Sequence, residues 1–124
     1  MSIYNKRICL VEGLEFLQSE IAKWENYNFP NTTAIEQFMG VVEEVGELSH
    51  FLLKDSQGIR EAVDKYGEKL DVKAHVVDAV GDISIFLINF CSHYDINYAD
   101  ALIRTWELVS KRDFRKFPKN GIDL

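Results

Sequence analysis

The chain has almost none of the cysteine on which small secreted or zinc-bound domains depend. Its 124 residues include two cysteines, Cys9 and Cys91, and no Cys-x-x-Cys pair. Two isolated thiols provide neither a disulfide framework nor a zinc site. We therefore expect a reducing, cytoplasmic setting.

Basic residues are also in the minority. Fourteen lysines and arginines are outnumbered by twenty aspartates and glutamates, which gives a formal net charge of −6 and a pI near 5.0. An acidic protein of this kind has no general attraction for nucleic-acid phosphates or for an anionic membrane. We therefore expect neither as a partner, and a phosphate ligand would need local cations or a bound metal.

Long hydrophobic runs and β-type alternation are missing as well. The longest apolar run, residues 85–91, is interrupted by Asn89 and is too short to span a bilayer. The N-terminal residues lack the apolar stretch of a signal peptide. We therefore predict a soluble protein, and no stretch alternates over a length that indicates a strand.

The sequence does contain enough apolar residues for one folded domain. Hydrophobic residues make up 47% of the chain, which predicts a single domain over residues 1–124. A bundle of this size often buries spare apolar surface by forming a homodimer or homotetramer. We expect an all-α bundle of four to five helices. Its predicted helices cover about Leu10–Trp24, Thr33–Lys54, Val72–His93 and Tyr98–Lys116, with a short amphipathic stretch at 59–66.

Two of these helices share a repeated pattern that contains acids. The segment VEEVGELSHFLL, residues 42–53, matches VDAVGDISIFLI, residues 77–88, at two valines and at glycine, serine, phenylalanine and leucine. A glycine precedes the last acid in each copy, and a glycine inside a helix is about 1 kcal/mol less favourable than alanine. We expect Gly46 and Gly81 to let the helices, or a ligand, approach closely. The repeat pairs Glu43 with Asp78 and Glu47 with Asp82.

The angular positions of the acids indicate a metal site. At about 100° per residue, Glu44 borders the predicted core face of its helix, with Glu47 close behind and Glu43 pointing outward. The later helix is apolar nearly all round, which predicts burial, and its acids lie in one narrow polar stripe. Acids beside apolar residues need cations, and oxygen ligands suit Mg²⁺ or Mn²⁺. We predict a magnesium site between these two central helices, with ligands Glu44, Glu47, Asp78 and Asp82.

These motifs resemble those of a known family. Glu44-Val-Gly-Glu47, followed by Gly81-Asp82 on a later helix, is similar to the E-x-x-E and E-x-x-D signature of the MazG-like all-α nucleoside triphosphate pyrophosphohydrolases. The segment KWENYNFP resembles the tryptophan-containing first helix and following loop of that family, and TWELVSKRDFRKFPKNG resembles its basic end. Position 79, where the family motif has an acid, is Ala79 in this chain, so we assign that role to Asp78, four residues before Asp82.

The resemblance implies hydrolysis of a nucleoside triphosphate between its α and β phosphates. Glu43 or Glu44 would position or deprotonate the attacking water. Trp24 or Phe29 would give the base a flat apolar wall, and Asn89 matches a polar position near the substrate. Cations for the phosphates would come from Lys54, Lys111, Arg112 and Arg115, with Arg112 foremost.

Two other functions remain open from the sequence. Glu47-Leu-Ser-His50 has the E-x-x-H spacing of di-iron carboxylate bundles, although the later helix has no second copy of that motif. A metal-free acidic helical adaptor, whose apolar stripes are interfaces, is the non-enzymatic alternative.

Overall fold

The computed structural model describes residues 2–58, 66–68 and 71–123 and is helical, without strands, over those residues. This confirms the predicted all-α architecture with four main helices. The short helix predicted at 59–66 lies almost wholly outside the described residues. The helices are α1 (Ile3–Asn28), α2 (Ala34–Gln57), α3 (Val72–His93) and α4 (Tyr98–Val109).

Each helix begins at a side chain that accepts a hydrogen bond from a backbone N–H in the first turn. Thr33 Oγ1 accepts from the N–H three residues on, at 3.2 Å, which confirms the predicted start of α2. Asn97 Oδ1 does the same at 3.0 Å and confirms the predicted start of α4. Ser2 and Asp71 cap α1 and α3 in the same way.

The last helix is shorter than predicted. α4 ends at Val109, well before Lys116. Beyond it, Asp113 Oδ1 accepts hydrogen bonds from the N–H groups of Arg115 and Lys116, at 3.1 and 3.0 Å. Its own N–H donates to the carbonyl of Gly121 at 2.8 Å. An aspartate that binds nearby backbone N–H groups competes with the helical hydrogen bonds, so the basic segment folds into turns.

α2 and α3 form the main helix pair and run antiparallel. The ring of Phe51 stacks on that of His75 with a centroid distance of 4.8 Å. Nearer the other end of the pair, the rings of Phe38 and Phe90 are 5.9 Å apart. This register places Glu44 of α2 level with Asp82 of α3.

The close approach of these two helices depends on Gly40. A Cβ built at Gly40 would lie 2.5 Å from the ring of Phe86. A Cβ at Gly46 or Gly81 would meet nothing within 4 Å. α2 and α3 of one chain therefore do not approach each other closely at Gly46 and Gly81, and the alternative that a ligand approaches there stays a prediction.

α1 forms hydrogen bonds with the junction between α3 and α4. The Nε2 of Gln18 donates to the carbonyl of Ile96 at 2.9 Å, and its Oε1 accepts from the N–H of Tyr98 at 2.9 Å. α4 then runs beside the N-terminal half of α1, where Arg7 and Glu107 form an exposed ion pair of 3.0 Å. α4 therefore packs mainly against α1 and covers little of α3.

The isolated chain leaves much of its apolar surface uncovered. Its accessible area is 9858 Å² for a mass of 14.3 kDa, whereas a folded monomer of that mass exposes about 6,800 Å². Val77 and Val80 on α3 are 60% and 53% exposed. The prediction that α3 is buried all round is therefore wrong for a single chain, because α2 and α1 cover part of it and α4 packs mainly on α1.

α3 is also the one described helix whose length and composition would allow it to cross a membrane. Core helices of soluble proteins often have the same composition. In this chain α3 is the helix that α1, α2 and α4 all contact.

Candidate functional site

The acids of α2 and α3 lie on one side of the helix pair, a surface that we call the acidic face. Glu44 is half-buried in the stripe of α2 that packs on α3. At about 100° per residue, Glu47 and Glu43 lie about 60° and 100° to one side of Glu44. On α3, Asp82 and Asp78 lie about 60° and 100° around the helix from the side that faces α2. They therefore lie on the same side of the helix pair as Glu47 and Glu43.

The charges on this face act on one another. Desolvation on partial burial raises the pKa of Glu44 above its ordinary value, and the negative charges of Glu47, Asp82 and Glu43 raise it further. Because Asp82 belongs to α3, acids from both helices contribute to the electrostatic field at Glu44. The sequence analysis placed Glu44 at the edge of the core face, whereas the structure places it within the contact between α2 and α3.

Asp78 occupies a different environment. It is exposed, and the neighbouring Ala79 takes the buried position that faces α2. The antiparallel register sets Ala79 level with Glu47, so an acid at position 79 would have faced Glu47 directly. Asp78 is not among the carboxylates that raise the pKa of Glu44. Its assigned role at the metal remains a prediction.

The acidic face has the chemistry of a divalent-cation site. Its carboxylates supply the oxygen ligands that Mg²⁺ and Mn²⁺ prefer. Within the described part of the chain, no lysine or arginine forms an ion pair with them. Over the same residues, no three His, Cys, Asp or Glu side chains form a ready-made metal-binding group. The donor set therefore fits the predicted ion, and binding would require the carboxylates to move closer together.

An apolar pocket of about 420 Å³ opens beside Asp82, between α1, α2 and α3. A mostly apolar cavity of this volume with a few polar groups is typical of small-molecule sites. Its apolar walls are formed by Ile21, Trp24, Phe29, Ile85 and Phe86, and its polar side chains are Glu20, Glu25, Gln37, Asp82 and Asn89.

Three of the residues predicted to contact the substrate, Trp24, Phe29 and Asn89, line this pocket. Trp24 is 57% exposed, and its ring meets that of Phe29 edge-on at 5.9 Å. Asn89 is 3% exposed, and its Oδ1 has no hydrogen-bond partner among the described residues. An unpartnered buried oxygen is unfavourable unless a ligand or water satisfies it. The structure thus brings the predicted aromatic wall and the predicted polar contact together.

Two further pocket residues were missed by the sequence analysis. Glu25 is buried, with its Oε1 2.9 Å from His93 Nε2. Gln37 is buried in the α3-facing stripe of α2, and its Nε2 donates to Thr32 Oγ1 at 2.9 Å. The sequence did contain a signal for Gln37, because it lies on the same helical stripe as Gly40 and Glu44. Glu25 gave no signal, because its partner lies on another helix.

The predicted phosphate-binding cations are not assembled within one chain. Lys54 lies ten residues after Glu44 in the sequence, about 15 Å further along the helix axis. Lys111, Arg112 and Arg115 are exposed and follow α4, beyond its contact with the N-terminal half of α1. Because the segment that carries Lys111 and Arg115 folds into turns, these two side chains do not share a helix face.

Comparison with known proteins adds no relatives. No family model, no curated protein and no solved structure matches the chain. The likeness to the MazG-like family therefore rests on the motif residues themselves.

Proposed function

We propose that this protein hydrolyses a nucleoside triphosphate between its α and β phosphates, in a Mg²⁺-dependent reaction that gives a monophosphate and pyrophosphate. The observation that carries the proposal is the position of Asp82. Its charge acts on Glu44 across the helix pair, and it also lines the pocket that contains Trp24 and Asn89. A ligand with a flat base and a charged phosphate chain that carries Mg²⁺ matches an apolar pocket that adjoins the acidic face.

The carboxylates of Glu44, Glu47, Asp82 and Asp78 would hold the ion. When bound, magnesium neutralises phosphate charge and lowers the pKa of bound water. Manganese has the same preference for oxygen ligands and is the expected substitute.

Glu44 and Glu43 are the proposed residues for handling the attacking water. A general base works best when its pKa is near the working pH, and the surroundings of Glu44 raise its pKa in that direction. Glu43 is exposed beside it and is the second candidate. Trp24 and Phe29 would hold the base, and Asn89 would orient it.

We also propose that the active form is a homodimer or a larger homo-oligomer. The matching apolar residues of the internal repeat lie opposite the acidic face and are exposed by 36% to 60%. The excess accessible area is about 3,000 Å² per chain, or about 6,000 Å² for two chains, which lies at the upper end of what obligate interfaces bury. We call this surface the apolar face; it comprises Val42, Val45, Leu52, Val77, Val80 and Leu87.

Assembly would also supply the missing cations. Among the described residues, Lys111, Arg112 and Arg115 form no ion pair with the acids of the acidic face. Lys54 lies about 15 Å from Glu44 along the axis of α2. In an oligomer, the basic end of one subunit is available to the phosphates bound at another. Arginine, whose planar fork matches phosphate oxygens, is the preferred residue for this role.

The test is a panel of standard and modified nucleoside triphosphates incubated with Mg²⁺, with pyrophosphate and orthophosphate measured separately. We expect pyrophosphate from at least one nucleotide, abolished by EDTA and by Asp82→Asn. The matched control is Asp100→Asn on α4, which should keep full activity. Release of orthophosphate in place of pyrophosphate contradicts the proposed bond. No turnover of any nucleotide, with a melting temperature unaffected by EDTA and Mg²⁺, would favour the metal-free adaptor.

A further inference from the structure

The pocket beside Asp82 contains more buried hydrogen-bond acceptors than donors to match them. Three of its polar side chains, Glu25, Gln37 and Asn89, are each at least nine-tenths buried, at 4%, 7% and 3% exposure. They come from three different helices, so their convergence on one pocket is a property of the tertiary structure. The walls between them are apolar and partly aromatic.

Two of these side chains keep a buried amide oxygen that has no hydrogen-bond partner among the described residues. Gln37 donates through Nε2 to Thr32, which leaves its Oε1 buried without a partner. Asn89 Oδ1 is likewise buried without a partner among the described residues. Glu25 is held by His93 through one oxygen, and a carboxylate accepts several hydrogen bonds.

The missing counterpart is therefore a donor on the ligand. A buried acceptor left without a donor costs roughly 1–3 kcal/mol, so a ligand that brings N–H groups to these oxygens has a large advantage. The ligand must also be flat and apolar on its faces, because Trp24, Phe29 and Phe86 form the walls. An amino-substituted nitrogen heterocycle meets both conditions.

We propose that the pocket selects nucleotides whose base carries an exocyclic amino group, as in cytosine, adenine and guanine, over keto analogues that lack one. This inference rests on the proposed nucleotide substrate and specifies its class. The amino group would donate to the oxygens of Asn89, Gln37 or Glu25. A keto oxygen at the same position would face acceptors, and one or more buried oxygens would stay unsatisfied.

The size of the expected preference follows from that difference. One unsatisfied buried group at roughly 1–3 kcal/mol corresponds to about a fivefold to 150-fold change in affinity. Sites built to hydrogen-bond a ligand group reject analogues that lack it more strongly than apolar pockets reject an extra methyl group. A preference of at least about tenfold is therefore expected.

The experiment measures binding of nucleoside monophosphates to the full chain by calorimetry in metal-free buffer. Two pairs are matched in size: dCMP with dUMP, and dAMP with dIMP. In each pair the keto member has an oxygen in place of the amino group with its two N–H donors, and gains one ring N–H. We expect the amino-bearing member of at least one pair to bind tenfold or more tightly. Asn89→Leu, which keeps the branched shape and removes the buried oxygen, should reduce that ratio. Asn26→Leu, an exposed change on α1 outside this pocket, should leave it unchanged.

The outcomes separate this inference from the proposed function. Equal affinities within both pairs, or tighter binding of the keto members, would overturn the base preference, and pyrophosphate release from triphosphates would still support the hydrolase. Preference that survives Asn89→Leu together with Gln37→Leu and Glu25→Leu would place recognition elsewhere and overturn the inference as well. Failure of every monophosphate to bind, together with no pyrophosphate from any triphosphate, would overturn both proposals.

Discussion

The ring of Phe86 occupies the space in which Gly40 would carry a side chain: a Cβ at that position would lie 2.5 Å from the ring. The backbone of α2 can approach α3 at this point because Gly40 has no Cβ. The contact lies beside the pocket, since Phe86 also forms part of the pocket wall. The spacing of the two helices and the shape of the pocket therefore depend on the same pair of residues.

Gly40→Ala should destabilise the fold by about 1–3 kcal/mol, the usual cost of overpacking a well-packed contact. The matched control is Gly13→Ala on α1, where an added Cβ meets nothing within 4 Å. Removing that glycine from a helix interior should stabilise the protein by up to about 1 kcal/mol. Urea unfolding of the two variants measures both effects. Equal stability of Gly40→Ala and the wild type would show that Phe86 moves aside without cost.

The pH dependence of stability should report on Glu44. Its pKa in the folded protein is raised above 4.5 by burial and by neighbouring acids, so the folded state binds this proton more tightly than the unfolded state. Stability of the metal-free protein should therefore fall as the pH rises from about 4.5 through the folded-state pKa. Glu44→Gln should flatten this dependence and abolish turnover, as measured by melting curves from pH 4 to 8 (roughly the range that brackets carboxylate titration) and by pyrophosphate release.

Glu43→Gln is the matched control for Glu44→Gln. The exposed Glu43 should tolerate the change with its fold and metal binding intact. Greater damage from Glu43→Gln would mean that the internal repeat, which pairs Glu43 with Asp78, identifies the working acids better than the packing does.

Magnesium should raise the melting temperature because it relieves repulsion among the acids of the acidic face. Asp82→Asn should weaken Mg²⁺ binding at least about tenfold, since second-shell changes alone reach that size. Asp78→Asn tests whether Asp78 takes the role of the acid that the family motif has at position 79. A titration of melting temperature against Mg²⁺ gives both affinities. Unchanged affinity in Asp78→Asn would remove Asp78 from the ligand set.

The apolar face should mediate self-association. Light scattering is expected to give a solution mass of about twice 14.3 kDa or a higher multiple. Val45→Glu combined with Val80→Glu would bury charge in that interface and should shift the mass towards the monomer. Leu108→Glu is the control, because Leu108 is 67% exposed on α4 and lies outside the apolar face. A monomeric wild type at micromolar concentration would contradict the proposal.

The four main helices and the acids of the acidic face could be predicted from the sequence alone. Capping side chains such as Thr33 and Asn97 bond to a backbone N–H three residues further on, so the helix starts that they mark can be predicted from a short stretch of sequence. The angular separation of Glu43 from Glu44 also follows from the geometry of one helix. The end of α4 could not be predicted in the same way. Asp113 bonds to backbone N–H groups in its own turn and to the carbonyl of Gly121, and the contact with Gly121 forms only when the chain folds back.

Which apolar stripe faces which neighbour depends on how the helices pack against one another. α2 and α3 are apolar on more than one side, so hydrophobic periodicity does not reveal that Gly40 makes the close contact, or that Gly46 and Gly81 point outward. It likewise does not reveal that Glu25 meets His93, because the two residues are 68 positions apart. Hydrophobic burial is non-directional, so the sequence specifies which residues avoid water, and the packing of helices against one another selects the partners.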